Sequence, residues 1–132
     1  MSNGRRLVVF LSGLALLGAL IGCGDDDEKE ADRLGIGAQC TKTEECAEGQ
    51  ECLTAFKGGL CGVKNCSATV ACPEASVCVV HDDGINYCFR TCVAKADCNA
   101  HRDADNEANC SSSVTFLDPA ATGKACVPSS GN

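Results

Sequence analysis

Aromatic side chains are scarce in this sequence. Trp is absent, Tyr87 is the single tyrosine, and one of the four phenylalanines, Phe10, lies close to the N-terminus. A short chain this poor in large apolar residues cannot fold on burial alone. Close C-x2-C pairs are missing too; the nearest cysteines are Cys88 and Cys92. Structural zinc sites and redox-active dithiols both favour such pairs, so neither is expected and no cofactor is implied. A basic surplus is also lacking. Eleven Lys and Arg stand against 18 Asp and Glu, a formal charge of −7. A polyanion of this kind is a poor partner for nucleic acid. Histidine occurs twice, as His81 and His101. His81 adjoins Asp82 and Asp83, as a base with an orienting carboxylate would, but it also falls where a strand meets a polar turn. No serine stands in a nucleophile-elbow pattern. The chain therefore reads as non-enzymatic.

No apolar run reaches the roughly 20 residues of a membrane-spanning helix. The longest, Leu7 to Ile21, follows Arg5 and Arg6 and has the length of a signal-peptide core. Leu20-Ile21-Gly22-Cys23 comes next: an aliphatic residue, a tolerant position, a small residue, then Cys. This order resembles the lipobox of bacterial lipoproteins. The resemblance implies a signal peptide over 1–22, cleavage before Cys23, a diacylglyceryl group on its sulfur, and an acyl chain such as palmitate on the new amine. Two or three chains anchor a protein far more firmly than one. Two rival outcomes are an uncleaved leader and a cut after Gly24. Removing Cys23 from the thiol pool turns an odd 13 cysteines into an even number that can pair completely.

Residues 23–39 read as the lipidated Cys followed by an acidic flexible tether. Asp25-Asp26-Asp27-Glu28-Lys29-Glu30 is a charge run with no apolar period, and such runs stay solvated. Gly24 is not the Asp associated with inner-membrane retention, which favours the outer membrane, on its periplasmic face or at the cell surface.

The other cysteines, spanning 40–126, fall into three sets of four. Cys40, Cys46, Cys52 and Cys61 precede Cys66, Cys72, Cys78 and Cys88, and Cys92, Cys98, Cys110 and Cys126 follow. The first two sets read C-x5-C-x5-C-x8/9-C, a period of 26 residues; the third stretches both later gaps. The expected fold is small and disulfide-rich. It has three tandem modules (40–61, 66–88 and 92–126) of short β-hairpins and loops, with little helix outside the signal peptide and a C-terminal tail over 127–132. A polar turn is expected between the first two cysteines of each module and a hairpin between the last two. Asp83-Gly84 is the strongest hairpin signal. A two-residue turn there sets Cys78 opposite Phe89, whereas a three-residue loop sets it opposite Cys88. Spacing alone leaves three pairings open in each module.

Cys40-x5-Cys46-x5-Cys52-x8-Cys61, with Glu45 before the second Cys and Gly49 after it, resembles the Dickkopf N-terminal cysteine-rich region. Asp97 repeats the acid before Cys98, whereas Ala71 departs from it in the second module. The resemblance, and that to related disulfide folds, implies first-to-third and second-to-fourth bonds: Cys40–Cys52, Cys46–Cys61, Cys66–Cys78, Cys72–Cys88, Cys92–Cys110 and Cys98–Cys126. No receptor partner carries over. Asp103, Asp105 and Glu107 alternate like the start of a calcium loop but lack its Gly and its distal Glu. The expected role is a lipid-anchored binding or envelope-structural module. Its partner would be a protein or envelope component of unspecified kind, met by the variable loop from Ser111 to Gly123. The alternative is an inhibitor of exported hydrolases, which would present a protruding loop.

Overall fold

The computed structural model describes residues 35–131; the leader, Cys23 and the acidic run lie outside them. Among the described residues, seven short strands, all antiparallel in their pairings, form three small sheets. Strand β1 (Glu51–Cys52) pairs with β2 (Cys61–Gly62), and β5 (Ala108–Ser111) pairs with β7 (Ala125–Pro128). Between them, β3 (Ser76–Val80) is flanked by β4 (Asn86–Arg90) on one side and β6 (Thr115–Phe116) on the other. Among the described residues, helix is confined to three short 3-10 turns, at Thr43–Glu45, Lys95–Cys98 and Ala104–Asn106.

Six disulfides replace the missing hydrophobic bulk. They join Cys40 to Cys52, Cys46 to Cys61, Cys66 to Cys78, Cys72 to Cys88, Cys92 to Cys110 and Cys98 to Cys126. The third and fourth cysteines of every module face each other across a strand pair: Cys52 and Cys61, Cys78 and Cys88, Cys110 and Cys126. Each bonds away from its cross-strand neighbour, back to the module's first or second cysteine. One bond type spans 5.9 Å between Cα atoms in all three modules, the other 5.3–5.5 Å. The loops so closed are each worth about 3 kcal/mol in the chain-entropy model.

The acid before the second cysteine has a local job. The Glu45 carboxylate accepts from the N–H of Thr41 (2.7 Å) and from its hydroxyl (3.0 Å). These two bonds hold its carboxyl below the usual carboxylate range. Asp97 accepts from the N–H groups of Val93 and Ala94 at 2.8 and 2.9 Å. Each carboxylate closes the loop that carries its module's first 3-10 turn. In the second module, with Ala71 at this place, the Ser67 hydroxyl oxygen accepts from Thr69 and Val70 instead.

The hairpin at Asp83-Gly84 closes through three residues, not two. Gly84 N–H reaches His81 C=O at 2.9 Å, His81 N–H reaches Ile85 C=O at 3.1 Å, and Gly84 takes φ +81°. This is a type I turn followed by a left-handed glycine, which puts Cys78 opposite Cys88.

The modules are not independent beads. Leu53, Phe56 and Leu60 of the first, Val79, Tyr87 and Phe89 of the second, and Ala125 of the third share one buried cluster. Backbone bonds cross the boundaries as well, such as Cys88 N–H to Val63 C=O at 2.9 Å.

Two boundaries read from composition are corrected. Gly35 to Gln39, expected to end the tether, belongs to the folded unit. Ile36 is 3% exposed, Gly37 N–H donates to Cys61 C=O, and Gln39 bonds to Asp103 and Asn106. Ile36 is the one buried residue of that stretch, and the bonds of Gly37 and Gln39 hold the rest. Residues 127–131 are not a free tail either. Val127 and Pro128 lie in β7, Lys57 N–H reaches Ser129 C=O, and Gly131 N–H reaches Ala55 C=O. The C-terminal segment thus closes on the first module.

Candidate functional site

The cysteine sulfurs approach in three triplets: Cys40, Cys46 and Cys61; Cys66, Cys72 and Cys88; Cys92, Cys98 and Cys126. Within each, all sulfurs lie within 4.8 Å of one another. Each triplet combines one whole disulfide with one sulfur of the neighbouring disulfide. The metal-binding and nucleophilic form of cysteine is the thiolate, and these sulfurs are bonded.

The calcium candidates do not converge. Asp103 accepts from Gln39 Nε2 at 2.8 Å, Glu107 pairs with Lys95, and Asp105 is exposed on the 3-10 turn Ala104–Asn106. Among the described residues only the cysteine triplets bring three ligand-type side chains together.

His81 belongs to the aromatic cluster. Its ring meets Phe56, Tyr87 and Phe89 edge-to-face, at centroid distances of 5.4, 5.6 and 6.0 Å. Nδ1 lies 3.3 Å from an Asp83 carboxylate oxygen, out of line for a hydrogen bond. A cleft of about 110 Å3 is lined by His81, Asp82, Ser111 and Ser113 among others. It is smaller than sites that enclose an organic ligand. No hydrogen bond joins the imidazole to either serine, the contact a nucleophile–base pair would need. His101 is exposed, and its carbonyl accepts from Gln39 N–H.

Asp83 organises the hairpin tip. Burial raises its carboxyl pKa, but the Ile85 N–H and the Tyr87 hydroxyl outweigh that and hold it below the usual range. These bonds measure 2.9 and 2.8 Å. Tyr87 is pushed the other way, up to about 12, by burial first and then by its bond to Asp83. The phenol is the chain's only tyrosine, so a single absorbance titration reports it. The expected result is a phenolate midpoint near 12 in the folded protein, returning to about 10 after unfolding and reduction. Because the folded value is raised, the associated stability is fully present below pH 10. It is lost as pH rises through the folded pKa.

The loop from Ser111 to Gly123 is the segment expected to meet a partner. It folds back: Thr115 and Phe116 form β6 against Val80 and Val79, and Leu117 N–H reaches Cys78 C=O at 2.9 Å. Beyond that point Leu117 to Ala120 are exposed. A groove of about 360 Å3 opens here, lined by Ser67, Ala68, Val77, Cys78, Leu117 and Asp118. Most of its surface is apolar, and Leu117 at its edge is 38% exposed. This groove is larger and more apolar than the cleft beside His81 and is taken as the candidate binding surface. Sequence reasoning pointed to the loop but not to Ser67 and Ala68, which reach it only through the fold.

Compared with protein-family models, curated proteins and solved structures, the chain matches none.

Proposed function

We propose that this chain is an exported cysteine-rich lipoprotein, held to the outer membrane by lipid on Cys23, whose folded part acts as a non-catalytic binding or envelope-structural module. One observation carries the reading. Every cysteine from Cys40 onward lies in a disulfide, so Cys23, placed at the end of the apolar leader, is the one cysteine left over. Disulfides persist in oxidising compartments, which agrees with export. The cysteine spacing that resembles the Dickkopf region supports a scaffold for display of loops and gives no partner.

The test is crosslinking and recovery of the acylated protein from its native envelope, beside a Cys23→Ala form. The wild-type protein should fractionate with outer membrane and hold a reproducible envelope partner. The substituted form should leave the membrane. Recovery of both forms from the soluble fraction would overturn the anchor.

A further inference from the structure

We infer that the uncovered edge of β3 takes one short extended peptide segment of a partner protein, running parallel to β3, with a small apolar anchor beside Val77 and a cationic neighbour near Asp118. This rests on the binding-module reading and names its site and the chemistry of its occupant.

The argument starts from strand alternation. Ala75 C=O accepts from Thr91 N–H, and His81 N–H donates to Ile85 C=O, so odd-numbered residues of this strand bond toward β4. Ser76, Cys78 and Val80 therefore point their backbone groups at the opposite edge. There β6 covers Val79 and Val80, and Leu117 N–H takes the Cys78 carbonyl. The cover then ends, because the chain turns off at Asp118, where Ala121 N–H closes back onto the Asp118 carbonyl. Cys78 N–H and Ser76 C=O stand open beside the groove, while Ser76 N–H is held by Pro73 C=O.

In a parallel pair, one residue bonds to the residues on either side of its neighbour. A peptide residue placed beside Val77 would donate its N–H to Ser76 C=O and accept from Cys78 N–H, completing both groups at once; the residue after it turns outward toward Asp118, because Leu117 holds the place beside Cys78. Its side chain would lie by Val77 and Leu117, which line the groove. Asp118 is the one charged residue in that lining, and the whole chain is at −7, so a cation is favoured next to the anchor. Strand addition of this type draws affinity from main-chain bonds and selectivity from alternate side chains.

The test uses the intact exported protein, 15N-labelled and held in detergent micelles, with the peptide acetyl-Lys-Val-Lys-amide. Saturating peptide should shift the Cys78 and Leu117 amide signals and slow Cys78 N–H exchange by about tenfold or more. The same peptide N-methylated at valine should do neither, and a Glu-Val-Glu peptide should bind more weakly. Ala68→Lys, at an exposed position on the groove wall, adds both bulk and a repelling cation and should abolish the effect while leaving the amide spectrum elsewhere unchanged. Unaltered Cys78 exchange, or equal binding of the N-methylated peptide, would overturn the inference. Should wild-type and Ala68→Lys proteins recover the same envelope protein, the binding-module reading would stand and the β3 edge would be excluded as its site.

Discussion

Phe56→Ala is expected to cost about 3–5 kcal/mol of unfolding free energy, the usual range for emptying a buried phenylalanine site. Phe56 is 2% exposed and lies edge-to-face with Tyr87 and Phe89 at 5.1 and 5.7 Å. It comes from the first module but packs against residues of the second. Its backbone also bridges Ser130, near the C-terminus. The loss should therefore appear as one cooperative transition. In a domain of this size Tm should fall by roughly 15–25 °C. Amide exchange would speed up together in β2, β4 and β7. Independent beads would behave otherwise, with exchange rising in residues 40–61 alone.

Arg102→Ala should come second, at about 3 kcal/mol. The guanidinium donates to four backbone carbonyls: Asn106 (2.7 Å), Gly37 (3.1 Å), Gly59 (2.9 Å) and Lys57 (2.7 Å). It thus ties the N-terminal segment and the first hairpin to the third module. Removing it strips four acceptors of a charged donor. The pocket allows little adjustment, because Gly59 (φ +69°) packs so closely that a Cβ would stand 2.0 Å from the Cys40 carbonyl oxygen. Arg102→Lys should recover only part of the loss, since an ammonium cannot spread its donors over the same fan of carbonyls. Chemical denaturation of both variants gives the ordering; a lysine form as stable as wild type would show that charge alone matters.

Much of this fold is legible in the sequence because cysteine spacing is a direct record of geometry. The period of 26 residues gives the modules, and the polar stretches before each second cysteine give the turns. Asp83-Gly84 marks a hairpin whose loop length had to come from the structure, since one added residue changes every cross-strand partner. What spacing does not record is how modules meet. Arg102 lies in a polar stretch with Asp103 and Asp105 and reads as a solvated charge; its four carbonyl partners lie between 4 and 65 positions away. Ile36 alternates with Leu34 and Ala38 across two glycines, too short a pattern to mark a strand. His81 reads as a possible base beside acids, whereas its ring is spent on the aromatic cluster. The groove shares this limit: its two walls are separated in sequence by about 50 residues and meet only because β6 returns to β3.

The central claim is that Cys23 carries the lipid while the remaining cysteines carry the fold. Mass spectrometry of the protein taken from its native envelope, under non-reducing conditions with thiol alkylation, tests both halves at once. The account predicts a mature N-terminus at Cys23, a diacylglyceryl group on its sulfur, an acyl chain on its amine, and no alkylated cysteine. A leader still attached, a start at any other residue, or an unmodified Cys23 would contradict it.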